Sequence, residues 1–517
     1  SESAVLPCGD RSEGAEVQEG VRRNAEGFGE LKIVERQNVL ILMSDQHSPH
    51  FLGCYGNDLV RTPNLDRLAA EGMRFENAYT PAPLCVPGRM SFMTTRRPSA
   101  NRVWTNGHIL SSAIPTWAHA MGAVGYETAL VGRMHFVGAD HRHGFELRPM
   151  GEYSAVFPGA DRLGGPQFKE VPGSTSGQTR VSVECAGVGR NSYQAFDEMV
   201  AENACEYLEE KVRGESDRPF AAVAGFVLPH CPFFIPRELF DYYYERVDVP
   251  EVVGDEPEAV RNFKKRRQIY EPLPEERIRV ARAAYFGMCE YFDRQIGKIL
   301  RKLDETGLSE NTLVVYTSDH GEMAGEHGCW WKSNYYEGSV GVPLLARLPG
   351  TVPAGQGNST LCNLMDLGPT LIEMAGGEGL PASDGHSLWR ELRGETDPER
   401  PNETFSEHGP ARGEPPSRMI RRGKWKLFKY HDDTPPVLFD LEEDPDELRD
   451  LGEDPEFAEI REELLERLYE DWDPDFVVRT SANLERDMKV LSAWGKAVQP
   501  HSSEALPVPD VEDVEFR

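Results

Sequence analysis

The chain has 517 residues, 39% hydrophobic and 27% charged, a balance that fits neither a disordered nor a membrane-embedded protein. Asp and Glu outnumber Lys and Arg by 86 to 56, for a formal net charge of −30. That balance argues against a nucleic-acid binder and against attachment to an anionic membrane surface. An anion can still be bound, but only in a locally positive pocket.

No apolar run approaches the ~20 residues that span a bilayer. The opening residues SESAVLPCGDRSEGAEVQEG lack a basic-then-apolar signal pattern, and the nine cysteines are odd in number and scattered. A cytoplasmic location is therefore slightly favoured. The cysteines read mostly as reduced core residues.

Residues 1–36 are polar and Gly/Glu-rich, an N-terminal extension. Asn38-Val-Leu-Ile-Leu-Met43 is an apolar run of strand length, as expected for a central strand of a parallel sheet. Residues 63–72 read as a helix, with Thr62 as its cap, Pro63 in its first turn and Gly72 as its stop. Further pairs follow: helix 114–122 then strand 127–131, helix 203–211 then strand 220–228, and helix 278–303 then strand 312–317. This alternation predicts a doubly wound, largely parallel α/β sheet flanked by helices. From about residue 385 the texture turns to Gly/Pro/Glu-rich loops. Segments 418–430 and 437–441 suggest a small antiparallel sheet, and 455–472 a helix. The chain is thus expected to hold a catalytic domain over 37–384, a smaller α+β subdomain over 385–475, and a Pro-rich tail over 476–517.

Sites in open α/β sheets lie outside the carboxyl ends of the strands. Two such ends carry oxygen-rich metal ligands: Asp45-Gln46 after the first strand, and Asp319-His320 in TSDHGE. Carboxylate oxygens suit Ca²⁺, Mg²⁺ or Mn²⁺. A single Asp there often only caps a loop; two such pairs, each directly after an apolar strand, point to a metal. Between them lies Leu84-Cys85-Val86-Pro87-Gly88-Arg89. Pro87 and Gly88 read as breakers of regular structure, and Arg89 supplies a fixed cation four residues from a thiol.

Cys85-Val-Pro-Gly-Arg89 resembles the C-x-P-x-R signature of the type I, formylglycine-dependent sulfatases of the alkaline-phosphatase-like superfamily. NVLILMSDQ, TPNLDRLAAEGMRFENAYTPAPLCVPGR and TSDHGEMAGEHGCWWK occur in that family's order, and MIRRGKWKLFKY with LFDLEEDPDEL resembles its C-terminal subdomain. Choline sulfatases and phosphonate monoester hydrolases are the branches closest in look. GRMHFVGADHRHGFE favours the former, while LRPMGEYSAVFPGADRLGG departs from it. Arg133 stands where the family has Lys, and Gly88 where it has Ser or Ala.

The resemblance implies hydrolysis of a sulfate monoester. A maturation enzyme converts Cys85 to formylglycine, whose hydrate attacks sulfur; the second hydroxyl then expels sulfate as the aldehyde reforms. The metal, Ca²⁺ first and Mn²⁺ or Mg²⁺ next, would bind Asp45, Gln46, Asp319, His320 and residue 85. Asp319 is preferred to Asp45 as proton acceptor. Arg89 would hold the second hydroxyl, His135 beside Arg133 would act as base in the collapse step, and His230 and Lys332 would meet the sulfate and leaving oxygen. Asn106 would be a polar substrate contact. The substrate is a small anionic ester, and a homo-oligomer is compatible. Two alternatives stand: a phosphonate monoester or phosphodiester hydrolase, and an inactive binder of sulfated ligands with unmodified Cys85. His47, His50, His141, His143 and His327 read as loop or supporting residues. Trp104, Trp330, Trp331, Tyr335 and Tyr336 read as packed hydrophobes rather than a cage for a quaternary ammonium. The acidic runs 442–447 and 459–466 read as solvated faces.

Overall fold

In the computed structural model, residues 36–153, 157–160, 178–214, 216–411, 413–507 and 513–517 are described. The strands, in chain order, are β1 (Asn38–Asp45), β2 (Met73–Tyr79), β3 (Glu127–Gly132), β4 (Leu147–Met150), β5 (Gly187–Arg190), β6 (Phe220–Pro229), β7 (Phe234–Ile235) and β8 (Thr312–Ser318). They continue with β9 (Leu344–Arg347), β10 (Gln356–Asn363), β11 (Glu403–His408), β12 (Ser417–Arg422), β13 (Trp425–Tyr430), β14 (Val437–Asp440) and β15 (Asp513–Phe516).

Eight of them form one sheet in the order β10-β2-β9-β8-β1-β6-β3-β4. β1 lies at its centre, parallel to β6 on one side and β8 on the other. Only β9 runs antiparallel to its neighbours. The apolar runs of β1, β6 and β8 are buried along almost their whole length, because helices cover both faces of the sheet. Two apolar cores follow from this. One packs the helices Ser192–Arg213 and Glu275–Glu305 on one face, and the other packs Cys85–Thr94, Trp117–Ala123 and Leu367–Met374 on the opposite face. The doubly wound expectation agrees with this architecture. A second, antiparallel sheet runs β11-β12-β13-β14, with the helix Ala458–Tyr469 against it. The register Ser44↔Ser318 sets the carboxyl ends of β1 and β8 abreast.

Three local expectations are corrected. The helix read at 203–211 starts at Ser192, where Asn191 and Gln194 make a reciprocal capping box. The supposed tail begins with a 25-residue helix, Pro474–Val498, capped by Asp473 and started by Pro474. Thr62 occupies the cap position of Pro63–Ala70 but makes no side-chain cap bond. Its hydroxyl instead accepts from Gly53 N and donates to Asp66. Among the described residues no helix is long and apolar enough to cross a membrane, and the eight described cysteines are unpaired.

Candidate active site

Cys85 opens the helix Cys85–Thr94, so Pro87 and Gly88 lie inside regular structure rather than breaking it. Pro87 is in the first turn, where a backbone N–H has no helical acceptor to lose. Gly88 is there for space: a Cβ would stand 3.0 Å from Asp319 O and 3.1 Å from Ala82 O. The helix start places its positive dipole end at Cys85.

Around Cys85 the two sheet ends converge. Its Sγ lies 3.2 Å from His320 Nε2 and 3.6 Å from Asp45 Oδ1. Ligand atoms of Asp45, Cys85, Asp319 and His320 all fall within 4.8 Å of one another, and all four residues are buried. Arg89, fully buried, ties the acids together, with Nε 2.7 Å from Asp319 Oδ2 and Nη2 3.2 Å from Asp45 Oδ2. Arg133 Nε adds a second guanidinium to Asp45 at 3.0 Å. Burial alone would raise the Asp45 carboxyl, but the guanidiniums of Arg133 and Arg89 hold it well below the ordinary carboxylate range. Burial lowers the His320 imidazole against the pull of Asp319, favouring the neutral form that can ligate a metal.

Lys332, 1% exposed, stands on the far side. Its Nζ donates to Gln46 Oε1 and reaches His230 Nε2 at 3.0 Å. His230 Nδ1 faces Cys231 O, so the ring hydrogen sits on Nδ1 and Nε2 accepts from the ammonium. His135 Nδ1 lies 2.8 Å from Arg133 Nη2. A guanidinium only donates, so Nε2 carries the hydrogen and neutral His135 is a donor. Asn106 Oδ1 accepts from Val86 N at 3.0 Å and thereby caps the nucleophile's helix, a structural duty absent from its sequence assignment. Gln46, Trp331, Ser333 and His135 all adopt left-handed backbone, a clustering of uncommon conformations around one site.

Several contributors were not foreseen. Gln178 Nε2 donates to Gln46 Oε1 at 3.3 Å. Glu152 accepts from His135 N. Asp197 receives Val227 N and Leu228 N at 2.9 and 2.8 Å, where the β1–β6 register shifts just before His230. That irregularity leaves two backbone donors needing an acceptor, but nothing in the local sequence marks Asp197 as the one. Two cavities open at the site. One, of about 440 Å³, is lined by His135, His108, Phe157 and Met488; the other, of about 290 Å³, by His230, Lys332, Arg267 and His408. Thr105, Asn106 and Glu485 line both.

The remaining histidines stay outside this cluster. His47 binds Tyr316 OH at 2.6 Å, and burial pushes it down to about 4. His50 pairs with Glu326, and His327 stacks on Tyr336. Trp104, Trp330, Trp331, Tyr335 and Tyr336 are core residues, each at most 1% exposed. Glu447 departs from the solvated-face reading of its acidic run: it is buried and paired with Lys426.

The family model Sulfatase matches residues 37–377, and the model of the N-sulphoglucosamine sulphohydrolase C-terminal region matches 325–473. The chain belongs to the sulfatase family and is a sulfatase. It is 37% identical over 436 residues to the choline-sulfatase of Rhizobium meliloti (strain 1021), covering 81% of this chain and 83% of that protein. It is 29% identical over 456 residues to arylsulfatase K of Xenopus laevis, covering 83% and 82%. In fold it resembles the phosphonate monoester hydrolase of Agrobacterium radiobacter, with a TM-score of 0.68 at 24% identity, over 87% of this chain and 96% of that one.

Proposed function

We propose that this sulfatase cleaves a small sulfate monoester to alcohol and sulfate, with residue 85 as formylglycine and a divalent cation beside it. The observation that carries the reading is the gathering of Asp45, Cys85, Asp319 and His320 within 4.8 Å under two arginines. The donors suit a divalent cation: two carboxylates supply hard oxygens, the buried imidazole is neutral, and the Gln46 carboxamide adjoins them. Ca²⁺ fits such oxygen donors best, with Mn²⁺ or Mg²⁺ next. When bound, such a cation polarises sulfur–oxygen bonds and eases ionisation of an adjacent hydroxyl. Formylglycine supplies a hydrated aldehyde, one of whose hydroxyls attacks while the other later lets the sulfate go.

The chain's own groups do the rest. Asp45 is bonded by two guanidiniums and Asp319 by one, so Asp319 is the better proton acceptor. Arg89 faces both acids and orients the second hydroxyl. Arg133 and His135 donate toward sulfate oxygens. His135 enters as a donor rather than as the collapse-step base, because its Nδ1 is spent on Arg133. Lys332 has a third hydrogen left for the leaving oxygen, and His230 Nε2, accepting from the same ammonium, holds it in place. Against the −30 of the whole chain, the buried cations Arg89, Arg133 and Lys332 converge on the hollow and supply the donors that an anionic ester needs.

Among the described residues, Glu485 is the one acidic side chain lining both cavities, which also hold His135, His230 and Lys332 on their walls. A carboxylate there repels an anionic alcohol and favours a neutral or cationic one. This agrees with the choline-sulfatase relative. Glu485→Gln is expected to raise KM for choline sulfate about 5-fold, one exposed charge pair being worth ~1 kcal/mol. KM for a neutral aryl sulfate should stay within twofold. Equal changes on both esters would remove Glu485 from alcohol recognition.

Asp319→Asn is expected to lower bound divalent cation at least 10-fold, the scale of lost ligand geometry or support. Elemental analysis after dialysis measures it; an unchanged cation content would move the metal elsewhere. The function itself is tested on matured protein with choline sulfate, aryl sulfates, sulfated sugars and phosphonate esters. Faster turnover of a phosphonate ester would replace the sulfate reading with the phosphonate monoester one. Binding without turnover by protein with intact Cys85 would favour the inactive binder.

A further inference from the structure

TSDHGE contains one acid that the reaction leaves unused. Glu322 is fully buried. Its Oε1 accepts from Ala324 N at 2.8 Å and Trp331 N at 2.5 Å, and its Oε2 accepts from Gln46 Nε2. The opposite end of the same carboxamide, Gln46 Oε1, accepts from Lys332 Nζ.

An amide has two ends of opposite character, and they look alike in shape. Here a carboxylate stands on one side and an ammonium on the other. Only one orientation satisfies both: nitrogen toward Glu322, oxygen toward Lys332. The two backbone bonds act on the same target from another direction. Trp331 immediately precedes Lys332, and the left-handed backbone at Trp331 and Ser333 aims the lysine inward. One buried carboxylate therefore binds three segments: the turn after β1, the turn after β8 and the Lys332 loop.

We propose that Glu322 is a positioning residue for the leaving-group side of the site. It locks the Gln46 carboxamide with its oxygen inward and, through Trp331 N, fixes the backbone from which Lys332 reaches the departing oxygen. This rests on the sulfate-ester reading given above. It also explains the residue pair itself. Glu at 46 would set carboxylate against carboxylate, and Gln at 322 would set one amide donor against another.

The test is a swap. In E322Q the new side chain must keep its oxygen on the Ala324 and Trp331 donors, so its NH₂ faces Gln46. Gln46 then flips and turns its own NH₂ toward Lys332. Turnover of an alkyl sulfate, a poor leaving group, should fall about 10–100-fold, the usual scale for losing an orienting partner. Turnover of 4-nitrophenyl sulfate should fall much less, the same leaving-group dependence expected of Lys332→Ala, which removes the donor to the departing oxygen. Q46E should lose activity through the facing acids. In Q46E/E322Q the amide at 322 donates to the carboxylate at 46, which still receives Lys332. At least about tenfold of the alkyl-sulfate loss should return, a coupling that additive sites do not show. Cation affinity measured by calorimetry should be regained in the same swap.

Losses that multiply in the double variant, or equal losses on both esters, would overturn the proposal. If E322Q does not fold, the double variant decides alone: wild-type leaving-group dependence supports the lock, and Lys332→Ala-like dependence overturns it. Matured wild type inactive on every sulfate ester would instead sink the functional reading, a separate outcome.

Discussion

Cys85→Ala is expected to abolish sulfate-ester turnover, by about 10⁴-fold or more, the scale seen when a covalent nucleophile is removed. The fold should survive. Cys85 is a small side chain at a helix start, and trimming it should cost about 1 kcal/mol. The expected pattern is thus an unfolding midpoint near wild type beside a rate near background. Cys85→Ser is equally informative. A serine hydroxyl could attack, but it has no second hydroxyl with which to expel sulfate, so a single turnover followed by arrest is expected. Mass spectrometry of the peptide spanning residue 85 in active wild type should give a species that has lost H₂S and gained one oxygen. Normal steady-state rates in either variant would remove residue 85 from the chemistry.

Arg89→Ala is expected to damage both fold and function. Arg89 has no solvent exposure and bonds Asp45 and Asp319 at once. Its removal strands buried Asp319 and leaves buried Asp45 with Arg133 alone. Breaking a buried pair from one side costs about 3–5 kcal/mol, and here one cation serves two acids. Arg89→Lys should recover little, because an ammonium cannot span both acids as the planar guanidinium does. The pH dependence has a definite sign. Burial pushes the Asp45 carboxyl up, while Arg133 and then Arg89 push it down. With Arg89 gone, Asp45 protonates at higher pH, so the acid-side loss of cation binding moves upward in pH. Chemical unfolding and calorimetric titration across pH measure these effects. A variant with unchanged stability and an unmoved acid limb would show that the two acids do not depend on Arg89.

The parts of the site that the sequence disclosed are those tied to local pattern. Asp45 and Asp319 follow apolar runs, so they were legible as strand-end acids. Cys85 and Arg89 share one helix turn, and their spacing holds in three dimensions. What escaped was set by long-range packing. Asp197 serves the end of β6 from another element, and Glu322 serves Gln46 across most of the chain. The bond that Asn106 accepts from Val86 N carries no signature either, because its donor is a backbone atom. The helix Pro474–Val498 is weakly marked in the sequence although Asp473-Pro474 is a plain start signal. Its interior contains Val-Val, Thr-Ser and Gly495, which blunt the helical pattern, and only Val477, Ser481 and Gly495 along it are fully buried. The start at Asn191-Ser-Tyr-Gln194 obeys the capping rule, but the apolar periodicity of that helix is clearest further along.

The register of β1 against β8 has a consequence for assembly. Ser44 and Ser318 are neighbours in space but more than half the chain apart in sequence. The entropy of closing so long a loop is met before either acid pair gains anything from the other. A half-formed sheet offers a divalent ion only two ligands from one turn. Affinity therefore belongs to the finished sheet alone, and by mass action every increment of ion binding is also an increment of resistance to unfolding.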